Sequence, residues 1–379
     1  MVKKKKVRHF YDYSLLFCVI FLMAFGLVMI YSASSYTAQL SHNGDSTYFL
    51  KRQFVIGMAG LVIALAISKM DYRRVQKWAM FVYLISYVLM IAVNIVGKEV
   101  NGKKRWLGIG SASFQPTEFV KIALIVFLAA YVVKKGNKIN TLKGAIIMLA
   151  WATPIAGLVA WNNLSSGIII MGIAMVILFV ACRNYAAFMG LGAAAFIGMF
   201  TARFWEPFLE SMNILHAYQM KRIHVWIDPT QYAQEGGYQV LQGLYAIGSG
   251  GLFGKGLGES IQKLGFVPEA QNDMIFSIIC EELGLFGAVS VILIFMFMIY
   301  RCMVIANNAP DLFGALIVVG VMAHIAIQVV LNIAVVTNTI PNTGISLPFI
   351  SYGGTSVLFL MIEMGLVLSV SNQIKLEKV

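Results

Sequence analysis

Asp273 stands where a long polar, glycine-rich segment gives way to a long apolar run. The stretch Phe266–Gly284 reads FVPEAQNDMIFSIICEELG, with Glu269 just before Asp273 and Glu281 and Glu282 further in. A carboxylate at the mouth of a long apolar run is costly to keep there, which points to function. Two chemistries suit it. As a helix N-cap it accepts backbone N–H bonds at the positive end of the helix. As a general base it exploits the raised pKa of a partly desolvated carboxylate. The two roles are compatible. Glu118 and Lys121 are spaced i,i+3, so they share one helical face. They are either a structural ion pair or the lining of a cavity in which Lys121 orients a phosphate or a sugar. Glu281 and Glu282 are adjacent and point to different sides of a helix, with one expected to reach Lys121 or backbone inside the bundle. His324 and Glu363 are lone polar residues within apolar runs and are expected to have buried hydrogen-bond partners rather than catalytic work. The stretch GSGGLFGKGLGES, Gly248 to Ser260, carries Lys255. It lacks the Walker ending and no strand precedes it, so it reads as a loop whose N–H groups face an anion, not as a nucleotide site. There is no G-x-S-x-G elbow and no Cys/His/Asp set with metal-ligand spacing. Cys18, Cys182, Cys280 and Cys302 are scattered in apolar runs and read as packing residues.

The elements that must position these groups are membrane spans. Of 379 residues, 59% are hydrophobic and 12% charged, a balance that fits a polytopic membrane protein and no soluble domain of this length. Runs of roughly 20 mostly apolar residues recur along the chain. We place ten: about Tyr13–Ser34, Phe54–Ser68, Trp78–Val96, Pro116–Val133, Ala145–Trp161, Ser165–Ala181, Tyr185–Phe200, Asp273–Tyr300, a ninth ending near Val335, and Val357–Val370. The fold expected is all-α and polytopic, one integral membrane domain over 1–379 with a large outer loop, 203–272, between spans seven and eight. A loop this long is expected to be functional, and its FWEPFLESM stretch has the aromatic anchors of an interfacial helix. The basic start MVKKKKVRHF has no small-residue cleavage site after it and reads as the cytoplasmic flank of a retained first span. Lys69–Lys77, Lys134–Lys143 and the tail around Lys375 are also assigned to the cytoplasm. A second group of cations then falls outside: Lys103, Lys104 and Arg105, then Lys221, Arg222, Lys255 and Lys263. They are either a solvated loop face or a site for an anionic headgroup such as a pyrophosphate. The net charge of +12 is accordingly assigned to lipid phosphate and anionic lipid rather than nucleic acid.

Five stretches together resemble one family: NGKKRWLGIGSASFQPTEFVK, RIHVWIDP, GGYQVLQGLYAIGSGGLFGKGLG, VPEAQNDMIFSIICEELG and PNTGISLPFISYGGTS. The chain is similar over almost its full length to the SEDS proteins (shape, elongation, division and sporulation), which include FtsW, RodA and SpoVE, and its last stretch is most like FtsW. The resemblance implies a glycosyltransferase that polymerises lipid II into peptidoglycan on the outer face of the bacterial cytoplasmic membrane, in cell division, with a RodA-like elongation polymerase or a sporulation polymerase as the alternative. It carries the catalytic aspartate onto Asp273. It carries substrate contacts onto Lys103, Lys104, Arg105, Trp106, Glu118, Lys121, Arg222, Lys255, Glu269, Ser351 and Gly353. A divalent cation, Mg or Mn, is the only cofactor it leaves open, and a class B penicillin-binding protein transpeptidase, with other division or elongation proteins, is the partner it implies. One departure stands out: where the family often has Asp-Leu-Gly between spans five and six, this chain has Asn163-Leu164-Ser165. Two other readings of the same residues stay open, a lipid II flippase and a non-catalytic scaffold for the transpeptidase.

Overall fold

A computed structural model describes residues 8–100, 103–109, 112–182, 190 and 217–376. The expected seventh span at 185–200, apart from residue 190, and the FWEPFLESM stretch lie outside the described residues.

In a bilayer every backbone N–H and C=O must be paired inside the protein, so the apolar runs become helices. After a short strand β1 (Arg8–His9) come α1 (Tyr13–Ser41), α2 (Tyr48–Ser68) and α3 (Arg73–Val96). A small antiparallel sheet follows, β2 (Lys98–Val100), β3 (Lys103–Ile109) and β4 (Ala112–Phe114) in that order. Next are α4 (Pro116–Lys135), α5 (Leu142–Asn162) and α6 (Leu164–Ala181). Two short helices, α7 (Ala217–Ile227) and α8 (Gly237–Gly250), precede the long α9 (Ile275–Asn307), α10 (Leu312–Val336) and α11 (Gly354–Asn372), and β5 (Lys375–Leu376) pairs with β1. The protein is an all-α polytopic membrane protein with two small sheets among the described residues. Among the described residues nine helices, α1–α6 and α9–α11, are long and apolar enough to cross a membrane. Several outrun their apolar cores: α2 starts at Tyr48 rather than Phe54, and α9 continues to Asn307. Helical hydrogen bonding does not stop where hydrophobicity does.

Burial orders the helices. In α4, 78% of the span is buried, against 22% in α2, so α4 sits inside the bundle and α2 faces lipid. The α4 helix packs on α3, α6 and α10, while α11 lies along α2. Pro116 occupies the first turn of α4, where its missing N–H costs nothing. At the end where β1 meets β5, Asp12 caps α1 through Leu15 N (2.9 Å) and ion-pairs with Arg301 of α9 (2.7 Å).

The sequence reading treats Asp273–Tyr300 as one continuous span. The structure divides it. Gly284 has φ 68° and ψ −166°, which divides α9 into two helical pieces across a kink. The backbone freed at the break is paired by the segment that follows α8: Lys255 N and Gly256 N donate to the carbonyls of Glu281 and Glu282 (2.9 and 3.0 Å), while Leu285 N and Phe286 N donate to Gly251 O and Leu252 O (2.9 and 3.0 Å). Side chains seal the same joint. Glu281 binds Lys255 (2.7 Å) and Ser260, and Glu282 binds Lys263 (2.9 Å) and Ser32 of α1 (2.6 Å). Of the two partners expected for one of these acids, Lys121 or backbone, it is the backbone that is met: Glu281 also accepts from Ile261 N (3.2 Å) and Gln262 N (3.4 Å), and both acids serve to dock the 251–274 segment. Gly254 has φ +79°, and a Cβ there would lie 2.1 Å from Glu282 O. Gly254→Ala is expected to cost about 1–3 kcal/mol, the range for strained backbone, seen as a lower Tm of the purified protein in detergent. An unchanged Tm would mean that the segment does not seat on the break.

Candidate active site

The residues singled out for chemistry gather at one end of the bundle, around the turn between α5 and α6. A polar cavity of about 480 Å³ opens there. Its floor is the first turn of α4, where Lys121 Nζ is 2.9 Å from Glu118 Oε2 and Ser356 of α11 donates to the same oxygen (3.2 Å). Lys121 and Glu118 are buried, at 2% and 8% side-chain exposure. Trp106 from β3, Arg52 from α2, Asn163 and Ser166 from the α5–α6 turn, Gln328 of α10, and Tyr352–Ser356 complete the walls. Thr355 Oγ1 lines this cavity, buried and without a protein hydrogen-bond partner, so it is open to water or a ligand.

A second, mostly apolar cavity of about 300 Å³ shares Asn163 and Ile345 with the first and is lined by Arg105 and Arg222. Arg105 Nε also donates to Asn162 O (3.0 Å), which ties β3 to the α5–α6 turn. Thr343 Oγ1 is the partnerless buried hydroxyl on this side. The sequence departure at Asn163 has a structural counterpart. Asn163 caps α6, its side chain accepting from Ser166 N (3.3 Å), and it lines both cavities. A carboxylate would cap the helix equally well, so the asparagine keeps the cap and leaves the wall between the two cavities neutral.

Asp273 sits at the rim, just before α9 begins. Asn272 and Gly344 belong to the polar cavity, and a Cβ on Gly344 would lie 3.6 Å from Asp273 Oδ2. The backbone of Asp273 is held by Asn332 of α10, whose Nδ2 donates to Asp273 O (2.8 Å) and to Ile345 O (2.7 Å). Gln239 of α8 donates to Asp273 Oδ1 (3.4 Å). Desolvation pushes the Asp273 carboxyl up to about 6; the residue's own backbone N–H opposes the rise, Glu269 nearby adds to it, and Arg222 and Gln239 oppose it further. A carboxylate poised there can take a proton near neutral pH.

The remaining candidates fall in different places. Lys104 donates to Ile95 O at the end of α3 (3.0 Å) and lines a groove between α3 and α5 rather than the polar cavity. Lys103 opens β3, opposite Val100. Gly353 lines the polar cavity, with its N–H on Gln53 Oε1 (3.4 Å). Ser351 does not line it: its hydroxyl accepts from Leu347 N (2.7 Å) inside a buried turn. Lys255 is spent on Glu281. Glu269 accepts from the side chain of Asn272 and stays outside the cavity lining. His324 Nδ1 meets Glu363 Oε2 at 2.7 Å and its Nε2 meets Gln328 at 2.8 Å, so the two lone polar groups partner each other. Sequence reasoning passed over Arg52, Gln239, Asn332 and Asn342. Gln239 and Asn342 lie inside the quoted stretches, but polar amides have no spacing that marks them as catalytic. For a divalent cation the fit is poor. Among the described residues no group of three or more His, Cys, Asp or Glu could hold a metal, and Glu118 is committed to Lys121.

Residues 13–376 match the FtsW/RodA/SpoVE family, described as cell cycle protein. The chain is 37% identical over 365 residues to stage V sporulation protein E of Bacillus subtilis (strain 168), covering 95% of this chain and 97% of that one. It is 36% identical over 370 residues to the probable peptidoglycan glycosyltransferase FtsW of Trichlorobacter lovleyi, covering 97% and 94%. Among solved structures it is similar to a chain from a peptidoglycan synthase complex in which polymerization and crosslinking are coordinated (TM-score 0.78, 26% identity, 95% and 97% covered). It is also similar to the rod shape determining protein RodA of Thermus thermophilus (TM-score 0.69, 26% identity, 96% and 97% covered). A match across nearly the whole chain, in sequence and in fold, places this protein in the FtsW/RodA/SpoVE family.

Proposed function

We propose that this protein is a peptidoglycan glycosyltransferase that polymerises lipid II, with Asp273 as general base. The observation that carries the reading is the pairing of a carboxyl poised near 6 with a polar cavity whose walls carry Lys121, Arg52 and Trp106. Asp273 takes the proton from the 4-hydroxyl of the acceptor's N-acetylglucosamine. That oxygen forms a bond to the anomeric carbon of the donor's N-acetylmuramic acid, with inversion. The anomeric carbon–oxygen bond breaks, and its electron pair leaves with undecaprenyl pyrophosphate. Charge grows on the pyrophosphate as it departs, and Lys121 and Arg52 on the polar cavity, with Arg105 and Arg222 on its neighbour, are the cations that steady it. The site then faces outward, both termini are cytoplasmic, and the lipid tails stay in the bilayer beside the helices. We assign the role to division or sporulation septa, following the FtsW-like PNTGISLPFISYGGTS stretch. The partner we propose is a single-span transpeptidase. Leu285, Val289, Leu293, Met296 and Tyr300 form an exposed apolar stripe along α9 that suits a partner helix.

Purified protein given lipid II, alone and with its transpeptidase, is expected to make long glycan strands. Movement of lipid II across vesicles without strand growth would favour the flippase instead, for which the interior polar series Glu118, Lys121, Gln328, His324 and Glu363 is the motivating observation. Arg222→Gln tests the cation assignment. Removing a positive charge that steadies the leaving group is expected to cost about 10²–10³-fold in turnover. Because Arg222 also opposes the rise in the Asp273 pKa, the acid limb of the pH–rate profile should move upward. Wild-type rates at every pH would remove Arg222 from the site.

A further inference from the structure

The Asp273 carboxylate does not stand alone in its contacts. Three groups in series fix how it is presented, and each fixes the next. Gly344 N donates to Asn342 Oδ1 (3.1 Å). An amide whose oxygen is taken must offer its NH2 on the other side, and Asn342 Nδ2 donates to Gln239 Oε1 (3.1 Å). The Gln239 oxygen is thereby taken as well, so its NH2 must point the other way, to Asp273 Oδ1 (3.4 Å) and Pro268 O (3.3 Å). A free glutamine beside a carboxyl could present either end. This one cannot flip without placing two NH2 groups against each other at Asn342 and its oxygen against the Asp273 carboxylate.

We infer that Gln239, oriented by Asn342 and the Gly344 N–H, is a positioning residue that ties down Oδ1 of Asp273 and leaves Oδ2 as the oxygen that receives the substrate proton. Three further observations agree. Oδ2 is the atom facing Gly344 at the cavity rim, and Gly344 holds φ +69° and carries no side chain that would crowd it. The backbone behind Asp273 is pinned to the same loop by Asn332, through Asp273 O and Ile345 O, so the carboxyl and the relay move as one body. Gln239 also spans elements far apart in the chain: it sits on α8, Asp273 precedes α9, and Asn342 follows α10. The relay is therefore complete only when the long segment before α9 and the loop before α11 are docked together. The charged groups facing Asp273 are Glu269 and Arg222. Neither belongs to the relay, and neither is changed by neutral substitutions in it.

This inference rests on the reading of Asp273 as the base, and its test separates the two. The pH–rate profile of lipid II polymerisation is measured for wild type, Gln239→Leu, Asn342→Leu and the double variant. Losing a donor to the ionised carboxyl raises its pKa. Gln239→Leu should therefore move the acid limb up by about one pH unit, roughly a tenfold loss at pH 6, with rates recovering towards wild type at high pH. Asn342→Leu should move it part of the way, and add nothing in the Gln239→Leu background, because it acts only through Gln239. A limb that stays in place, a uniform loss at every pH, or an Asn342→Leu shift of the same size in both backgrounds each overturns the relay. The pH midpoint of carbodiimide labelling of Asp273, read by mass spectrometry, gives the same shifts without turnover. If labelling shifts as expected and the wild type makes no strands, the relay stands and the polymerase reading falls.

Discussion

Asp273→Asn is expected to abolish strand formation by a protein that still folds, still reaches the membrane and still binds its partner. General-base catalysis typically contributes 10²–10⁴-fold, and asparagine has no lone pair basic enough to replace it. Loss of activity through unfolding is the rival explanation, and the sign of the pKa shift argues against it. The folded carboxyl holds its proton more tightly than an unfolded one, up to about 6 against 3.8. Ionising it as pH rises through that window therefore costs folding stability, and asparagine carries no such cost. The variant should thus be as stable as wild type or more so at pH 7.5, with its hydrogen bond at position Oδ1 retained by the side-chain amide oxygen. For wild type, the rate should fall about tenfold per pH unit below about 6. The measurement is strand length and yield from purified lipid II across pH 5–8, beside thermal unfolding of both proteins. Equal strands from the two would sink the base assignment and turn attention to Glu269, which borders Asp273. Glu281 cannot take that role, since it is fully buried and bound by Lys255.

The second large effect is expected at the Glu118–Lys121 pair. Both side chains are buried, and they meet at 2.9 Å with one further hydrogen bond, from Ser356. Lys121→Met leaves a carboxylate with a single hydroxyl for company. Breaking a buried pair from one side costs about 3–5 kcal/mol, enough to show as a large drop in Tm or in the yield of folded protein. The double variant Glu118→Gln/Lys121→Met removes both charges and should recover most of that stability, since replacing a buried pair with neutral groups is often close to neutral. Activity separates the structural role from the functional one. If the pair is only structural, the double variant regains turnover with stability. If Lys121 contacts the anionic substrate across the cavity, the double variant is stable and inactive, and that is the outcome expected here. A Lys121→Met protein as stable as wild type would show that water in the cavity already screens the pair.

Much of the architecture was legible in residue order because a bilayer imposes simple rules. Apolar runs long enough to cross had to be helices, so the membrane class and nearly every described span follow from hydrophobicity alone. Glu118 and Lys121 were legible as partners because i,i+3 spacing on a helix is local geometry. His324 and Glu363 were legible as satisfied polar groups, although their identity as each other's partner was not. What sequence could not decide was every contact between residues far apart in the chain. It did not show that Gly284 breaks α9, because the break is stabilised by carbonyls and N–H groups of residues 251–256. It did not show that Glu281, Glu282, Lys255 and Lys263 neutralise one another, since their pairing depends on how the segment before Asp273 folds back. Ser351 matched a motif yet serves a turn, while Gln239 and Asn342 drew no notice yet orient the Asp273 carboxyl. Amide side chains have no net charge and no periodicity, so nothing in residue order gives them direction. Only the docking of α8, the start of α9 and the loop before α11 does.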